Sequence, residues 1–292
     1  VVDKACHTGE GPLWHPEEEC LYWLDIPQAR LFRYHPDAGQ TETFDTGVPV
    51  GGFTLHEDGR LLLFMAEGAV RLWRDGTMET VLDSLPEERG NRFNDVIADP
   101  EGRVFCGVMS TPDRAGRLYR LDPDGRIHVV IEGTQTANGM GFSPDLEHFY
   151  FCDSREVTLS VFDYDRATGE IANRRVLVRP APEHGRPDGM TVDAEGCLWS
   201  ARWGGACAVR HAPDGAVLER IAFPAARNVS CVTFGGRDYD VLYATTAGAQ
   251  DRANHGELAG ALFRMVPGVK GKPEFRSQIG RASCRERVCH RV

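Results

Sequence analysis

The chain has 292 residues, 41% of them hydrophobic, and a formal net charge of −10. That is enough for one large core or two modest ones. The acidic balance argues against nucleic acid and anionic membrane as partners, and no apolar run reaches the length of a membrane span.

Six copies of one pattern follow in order. The first opens with GEGPLW at Gly9, turns at HPEEE, continues as LYWLD from Leu21 and ends in LFRYHPDAG. The second turns at HEDG, with LLLF from Leu61 and RLWRDGT behind it; residues 83–89 then offer at most a turn of helix. The third carries RFND, DPEG, VFCG from Val104 and LYRLDPDG, and the fourth ANG, SPDL, FYFCD from Phe149 and LSVFDYDRATG. The fifth reads PDG, DAEG, LWSA from Leu198 and AVRHAPDG, and the sixth GGRD, LYAT from Leu242 and LFRMVPG. The aromatic strands recur at intervals of 40 to 49 residues. Asp-Gly and Pro-Asp-Gly endings between apolar runs are hairpin signals, because Gly accepts positive φ and Pro presets the turn. This period with these turns predicts an all-β, six-bladed β-propeller. The opening VVDKAC is expected to supply the outermost strand of the last blade and so close the ring.

The body, residues 1–279, is read as that single propeller. Residues 280–292 are read as a non-native tail, because the run at 279–288, IGRASCRERV, looks like a translated sequencing adapter; a native basic tail is the alternative. The body alone holds 29 basic and 42 acidic residues, near −13. An opening Val rather than Met leaves open a lost natural start and signal peptide. Seven body cysteines with no CxxC suit reduced, buried thiols, and a cytoplasmic monomer is the expected setting.

Glu10, Asn94, Asn138 and Asp188 each lie ten or eleven residues ahead of an aromatic strand. Equivalent positions in propeller blades converge on the axis, so these four predict an axial metal site. Two carboxylates roughly 5 Å apart repel by about 3 kcal/mol at an effective dielectric near 20. A cation offsets that, and carboxylate and amide oxygens without His or Cys suit Ca²⁺, Mg²⁺ or Mn²⁺, with Zn²⁺ kept in the set to be tested.

GEGPLW, RFND, ANGMGFSPD and PDGMTVDAEGCLW, in this order and spacing, resemble the senescence-marker-protein/gluconolactonase family, which includes regucalcin and bacterial sugar lactonases. The resemblance runs from about residue 6 to residue 275. It implies one divalent ion at the axial mouth and hydrolysis of sugar lactones. By motif, Glu10, Asn138 and Asp188 correspond to metal ligands, and Arg92 and Asn94 to a substrate-contacting pair. Arg92 and Asn94 are two apart and so share a side of a strand, whereas Asp95 faces away and is expected to accept backbone N–H groups.

The expected reaction is hydrolysis of aldonolactones (glucono-, xylono- or arabinonolactone) to aldonic acids, the ion polarising the carbonyl and Asp188 serving as general base. A non-catalytic calcium-binding protein of regucalcin type is the alternative, and phosphotriester or aryl ester hydrolysis a third reading. Residues 110–116 form a shorter loop than regucalcin carries there, so lactone size does not carry over. Trp203 is equally a sugar-stacking platform or a packing residue. DPDG at 122–125 reads as a hairpin tip rather than a calcium loop, Asn228 as an inner-strand start rather than a glycosylation site, and no GxSxG supports a nucleophilic triad.

Overall fold

The computed structural model describes residues 1–280. Six four-stranded antiparallel sheets stand around one axis. Their inner strands are Gly9–His15, Val50–Leu55, Phe93–Ala98, Ala137–Phe142, Arg186–Val192 and Asn228–Gly235. Second strands such as Cys20–Asp25, Leu61–Met65 and His148–Asp153 are buried along nearly their whole length. Both faces of such a strand pack on protein, which is why they read as continuous apolar runs rather than as alternation. The last sheet takes its outermost strand from the start of the chain: Val2 pairs with Leu262 and Asp3 with Ala261. The ring therefore closes as the opening residues suggested.

The apolar clusters lie between neighbouring blades. Tyr22, Leu24 and Leu31 of the first blade pack on Phe53, Leu63 and Trp73 of the second. Trp14, Trp23 and Phe32 meet Tyr243 and Leu262 of the last across the closure. Leu198 and Met190 meet Tyr150 and Val161 between blades four and five. The outermost strands, such as Gln40–Asp45 and Thr77–Leu82, face solvent and are mostly polar.

Three local devices fix the open end of the inner strands. Each of the six carries a register shift near its start, including Glu10/Leu13, Phe93/Val96, Asn138/Met140 and Pro187/Met190. Such a bulge bends the strand and re-aims its side chains. Gly139 and Gly189, directly after Asn138 and Asp188, sit against the next inner strand. A Cβ at Gly139 would lie 2.5 Å from the Asp188 carbonyl oxygen, and one at Gly189 2.3 Å from Cys231 Sγ. Only glycine permits that approach. Finally, Asp25 accepts the His7 and Thr8 amides at 3.0 and 3.1 Å, and Asp153 those of Gln135 and Thr136 at 2.7 and 3.0 Å. These carboxylates anchor the segments that lead into Glu10 and Asn138.

The opposite end is covered by the chain from residue 270 to 280. The Lys270 carbonyl accepts the Ala194 amide in blade five, and Gly271 donates to Tyr239 in blade six. Ser277 donates to Leu55 in blade two and Gln278 to Gly102 in blade three. Ile279 is buried among Leu62, Phe64 and Val104, and its carbonyl meets His56 Nε2 at 3.2 Å. Helix is confined to short pieces, including one 3-10 turn at Pro86–Glu88 and four α-helical residues at Arg252–His255, and no helix among the described residues could cross a membrane. The seven cysteines of the described residues are buried and free. Residues 281–292, where the non-native tail is expected, lie outside the described residues.

Candidate active site at the open mouth of the ring

A cavity of about 290 Å³ lies at the open end of the inner strands, and its walls include Glu10, Arg92, Asn94, Asn138, Asp188 and Trp203. The six residues arrive from blades one, three, four and five. Asn138 Nδ2 donates to Asp188 Oδ1, and to Ser154 Oγ at 3.0 Å. Ser154 Oγ in turn reaches Asp188 Oδ1 at 3.5 Å. Arg92 Nη1 donates to Asn94 Oδ1 at 2.7 Å and to the Phe93 carbonyl at 2.8 Å. Asn94 Nδ2 is held by the Ala137 carbonyl at 2.9 Å, which ties blade three to blade four. Arg92 and Asn94 thus share a side, as their spacing required.

Asp95 is absent from this cavity wall, as its place on the strand suggested. It accepts one backbone N–H, that of its neighbour Val96 at 2.9 Å. Its carboxyl points into a narrow space of about 60 Å³ along the axis, which Cys231, Thr191 and Glu274 also line. The strand is bulged here, between Phe93 and Val96. Burial pushes Asp95 up to about 7, with the Glu274 charge adding to the rise.

Electrostatically these acids form one group. Burial first, then the Asp95 charge, pushes Glu10 up to about 8, against the Gly11 amide and Arg92, which act to lower it. Burial, then Glu10 and Asp95, lifts Asp188 well above the usual carboxylate range, opposed by Arg186 and Ser154. Carboxylates whose affinity for protons is raised in this way are equally poised for a cation. Two carboxylates and two carboxamides line the cavity and no imidazole does, a donor set that fits a hard divalent ion. The exposed Asp145 and Glu147 and the half-buried His148 also lie close together, but none of them lines this cavity.

Several wall residues escaped the sequence reading. Ser154 follows the FYFCD strand, and Arg155 follows Ser154. Arg186 stands two residues before Asp188, the same spacing that separates Arg92 from Asn94, and that parallel was legible.

The family model for the SMP-30/gluconolactonase/LRE-like region matches residues 8–248. The chain belongs to the SMP-30/gluconolactonase/LRE-like family. Within it, the chain is 45% identical over 290 residues to the pentonolactonase XacC of Haloferax volcanii, covering 96% of this chain and 97% of that one. It is 33% identical to regucalcin of Bos taurus, over 94% and 96% of the two chains. Among solved structures of the family, a luciferin-regenerating enzyme superposes with a TM-score of 0.87 at 28% identity, covering 95% and 99%. The matched residues of the family model include Glu10, Arg92, Asn94, Asn138 and Asp188.

Proposed function

We propose that the protein hydrolyses sugar lactones of the aldonolactone type to aldonic acids, with a divalent ion held by Glu10, Asn138 and Asp188. The observation that carries this reading is the meeting of those three side chains with the Arg92–Asn94 pair in one cavity. The relationship to a pentonolactonase supports it. An ion bound there supplies positive charge that polarises the lactone carbonyl and keeps both carboxylates ionised.

Asp188 takes a proton from water as the water oxygen bonds to the carbonyl carbon. The carbonyl π pair moves to its oxygen. On collapse the bond from that carbon to the ring oxygen breaks, and Asp188 returns the proton to the departing oxygen. Lactone and water become one hydroxy acid. Ser154 and Asn138 hold the Asp188 carboxyl, while Arg92, itself fixed on Asn94, donates to sugar oxygens. A protein that only binds calcium has no use for that pair.

The test is acid release from a panel of five- and six-membered aldonolactones, on chelator-stripped protein supplied in turn with Ca²⁺, Mg²⁺, Mn²⁺ and Zn²⁺. Turnover of one or more lactones that depends on the added ion is expected. Rates equal to the uncatalysed blank for every lactone and ion would refute the reading.

A further inference from the structure

The mouth of the ring is far more basic than the molecule that carries it. Arg92, Arg155 and Arg186 line the site cavity, and its acidic lining residues are Glu10 and Asp188 alone. A second cavity of about 590 Å³ adjoins it, sharing Arg186 and Trp203 as walls and adding Arg227. No acidic residue lines that second space. Arg186 and Trp203 face each other across paired strands, so a guanidinium and a half-buried indole stand side by side where the two spaces join.

Most arginines elsewhere end on carboxylates: Arg33 meets Glu42 and Asp75, Arg174 meets Glu156, and Arg210 meets Asp193 and Glu195. Among the described residues none of the four mouth arginines has such a partner. Arg92 bonds Asn94 and the Phe93 carbonyl, and Arg155 reaches only Ser110 Oγ at 3.4 Å. A divalent ion on Glu10 and Asp188 cancels their two negative charges. Four guanidinium charges then remain around a concave surface on a chain whose net charge is −10. Guanidinium groups hold carboxylate and phosphate oxygens through paired N–H donors, and a concave basic surface concentrates anions.

We propose that the enzyme's preferred substrate is a lactone bearing an anionic group, carboxylate or phosphate, away from the ring carbonyl. Arg155, Arg186 and Arg227 receive that group while Arg92 serves the lactone ring. The proposal rests on the lactonase reading and narrows its substrate class. It also explains why a cavity already large enough for a sugar ring has a second one beside it, across Arg186 and Trp203.

The experiment compares neutral aldonolactones with an aldarolactone and with a lactone phosphorylated on its terminal carbon. For wild type at low salt, KM for an anionic lactone should lie at least tenfold below that of its neutral counterpart. The advantage should vanish near 1 M salt, where charges are screened within roughly 3 Å, and in the R155A/R186A/R227A variant. Whether the carboxylate or the phosphate gains more identifies the natural group. Neutral and anionic lactones with KM values within twofold, insensitive to salt, would overturn the proposal; this arm uses wild type and survives a variant that fails to fold. If no lactone is hydrolysed, the lactonase reading fails and calorimetry decides the anion site. Aldarate or a phosphorylated aldonate binding tenfold tighter than the plain aldonate, with the difference lost in high salt, supports the site. Equal binding sinks it.

Discussion

The two ends of the ring are built from the same six inner strands and treat polar groups in opposite ways. At the open end, Asp188 is buried and Glu10 half-buried; among the described residues neither has a cationic partner at ion-pair distance, and their affinity for protons is raised. At the other end, residues 270–280 cover the strand ends with backbone hydrogen bonds to blades two, three, five and six. Buried polar atoms there are mostly matched, as Thr54 Oγ1 is with Ser277 Oγ at 3.1 Å. One end stores electrostatic tension for chemistry; the other supplies the packing that keeps it in place. Mutations should divide the same way.

The largest effect is expected at the open end. Asp188→Ala should lower kcat for any lactone turned over by 10³-fold or more, which is about 4 kcal/mol of barrier, while the melting temperature holds or rises because a buried carboxyl is gone. Full activity in this variant removes Asp188 from the mechanism. At the covered end, Ile279→Ala should cost roughly 2–5 kcal/mol of stability through the cavity it leaves. Denaturant melts would show it, and activity per folded molecule should stay within twofold. A loss of kcat without a loss of stability would mean that the two ends are not separable.

A pH experiment sharpens the covered end further. His211 is 1% exposed, shares Nε2 with Arg202 Nη2 at 2.7 Å, and has its Nδ1 3.0 Å from the Gly215 carbonyl. Burial first, then the Arg202 and Arg220 charges, pushes its pKa down to about 4. The unfolded chain takes up this proton near pH 6.5 and the folded chain only near 4. Stability is therefore intact above pH 6.5 and falls as pH drops towards 4, by on the order of 3 kcal/mol. Urea melts should trace that slope, and His211→Gln should flatten it. The smallest effect returns to the mouth: Asn94→Ala should raise KM about tenfold with kcat within threefold, since it removes the support of Arg92. An unchanged KM would mean that Arg92 needs no such support.

The fold was largely readable because propeller second strands are buried on both faces, so LYWLD and FYFCD stand out from the polar turns around them. The outermost strands did not stand out. Gln40–Asp45 and Val217–Ala222 pack little and face water, so no apolar rhythm marks them. In the site, the same spacing ahead of each aromatic strand brought Glu10, Asn94, Asn138 and Asp188 to one cavity. Asp95 accepts a backbone N–H and stays off the cavity wall, as read, but its place beside Glu274 on the axial space had no signal in a two-residue alternation. Ser154, Arg155 and Arg227 carry no motif; only the ring's curvature sets them beside residues far away in the chain.

Closure of the last blade by Val2 and Asp3 has a consequence for assembly. A ribosome releases the first five sheets in sequence, and each finds its partners within a few dozen residues. The sixth must wait for Ala261 and Leu262 to emerge and then recapture the opening segment across some 260 residues. Loop closure grows costlier only slowly with span, but it delays the final step. Until then the flanks of blades one and five stay bare and adhesive, so a nascent chain is most exposed to misassociation just before the sixth sheet forms.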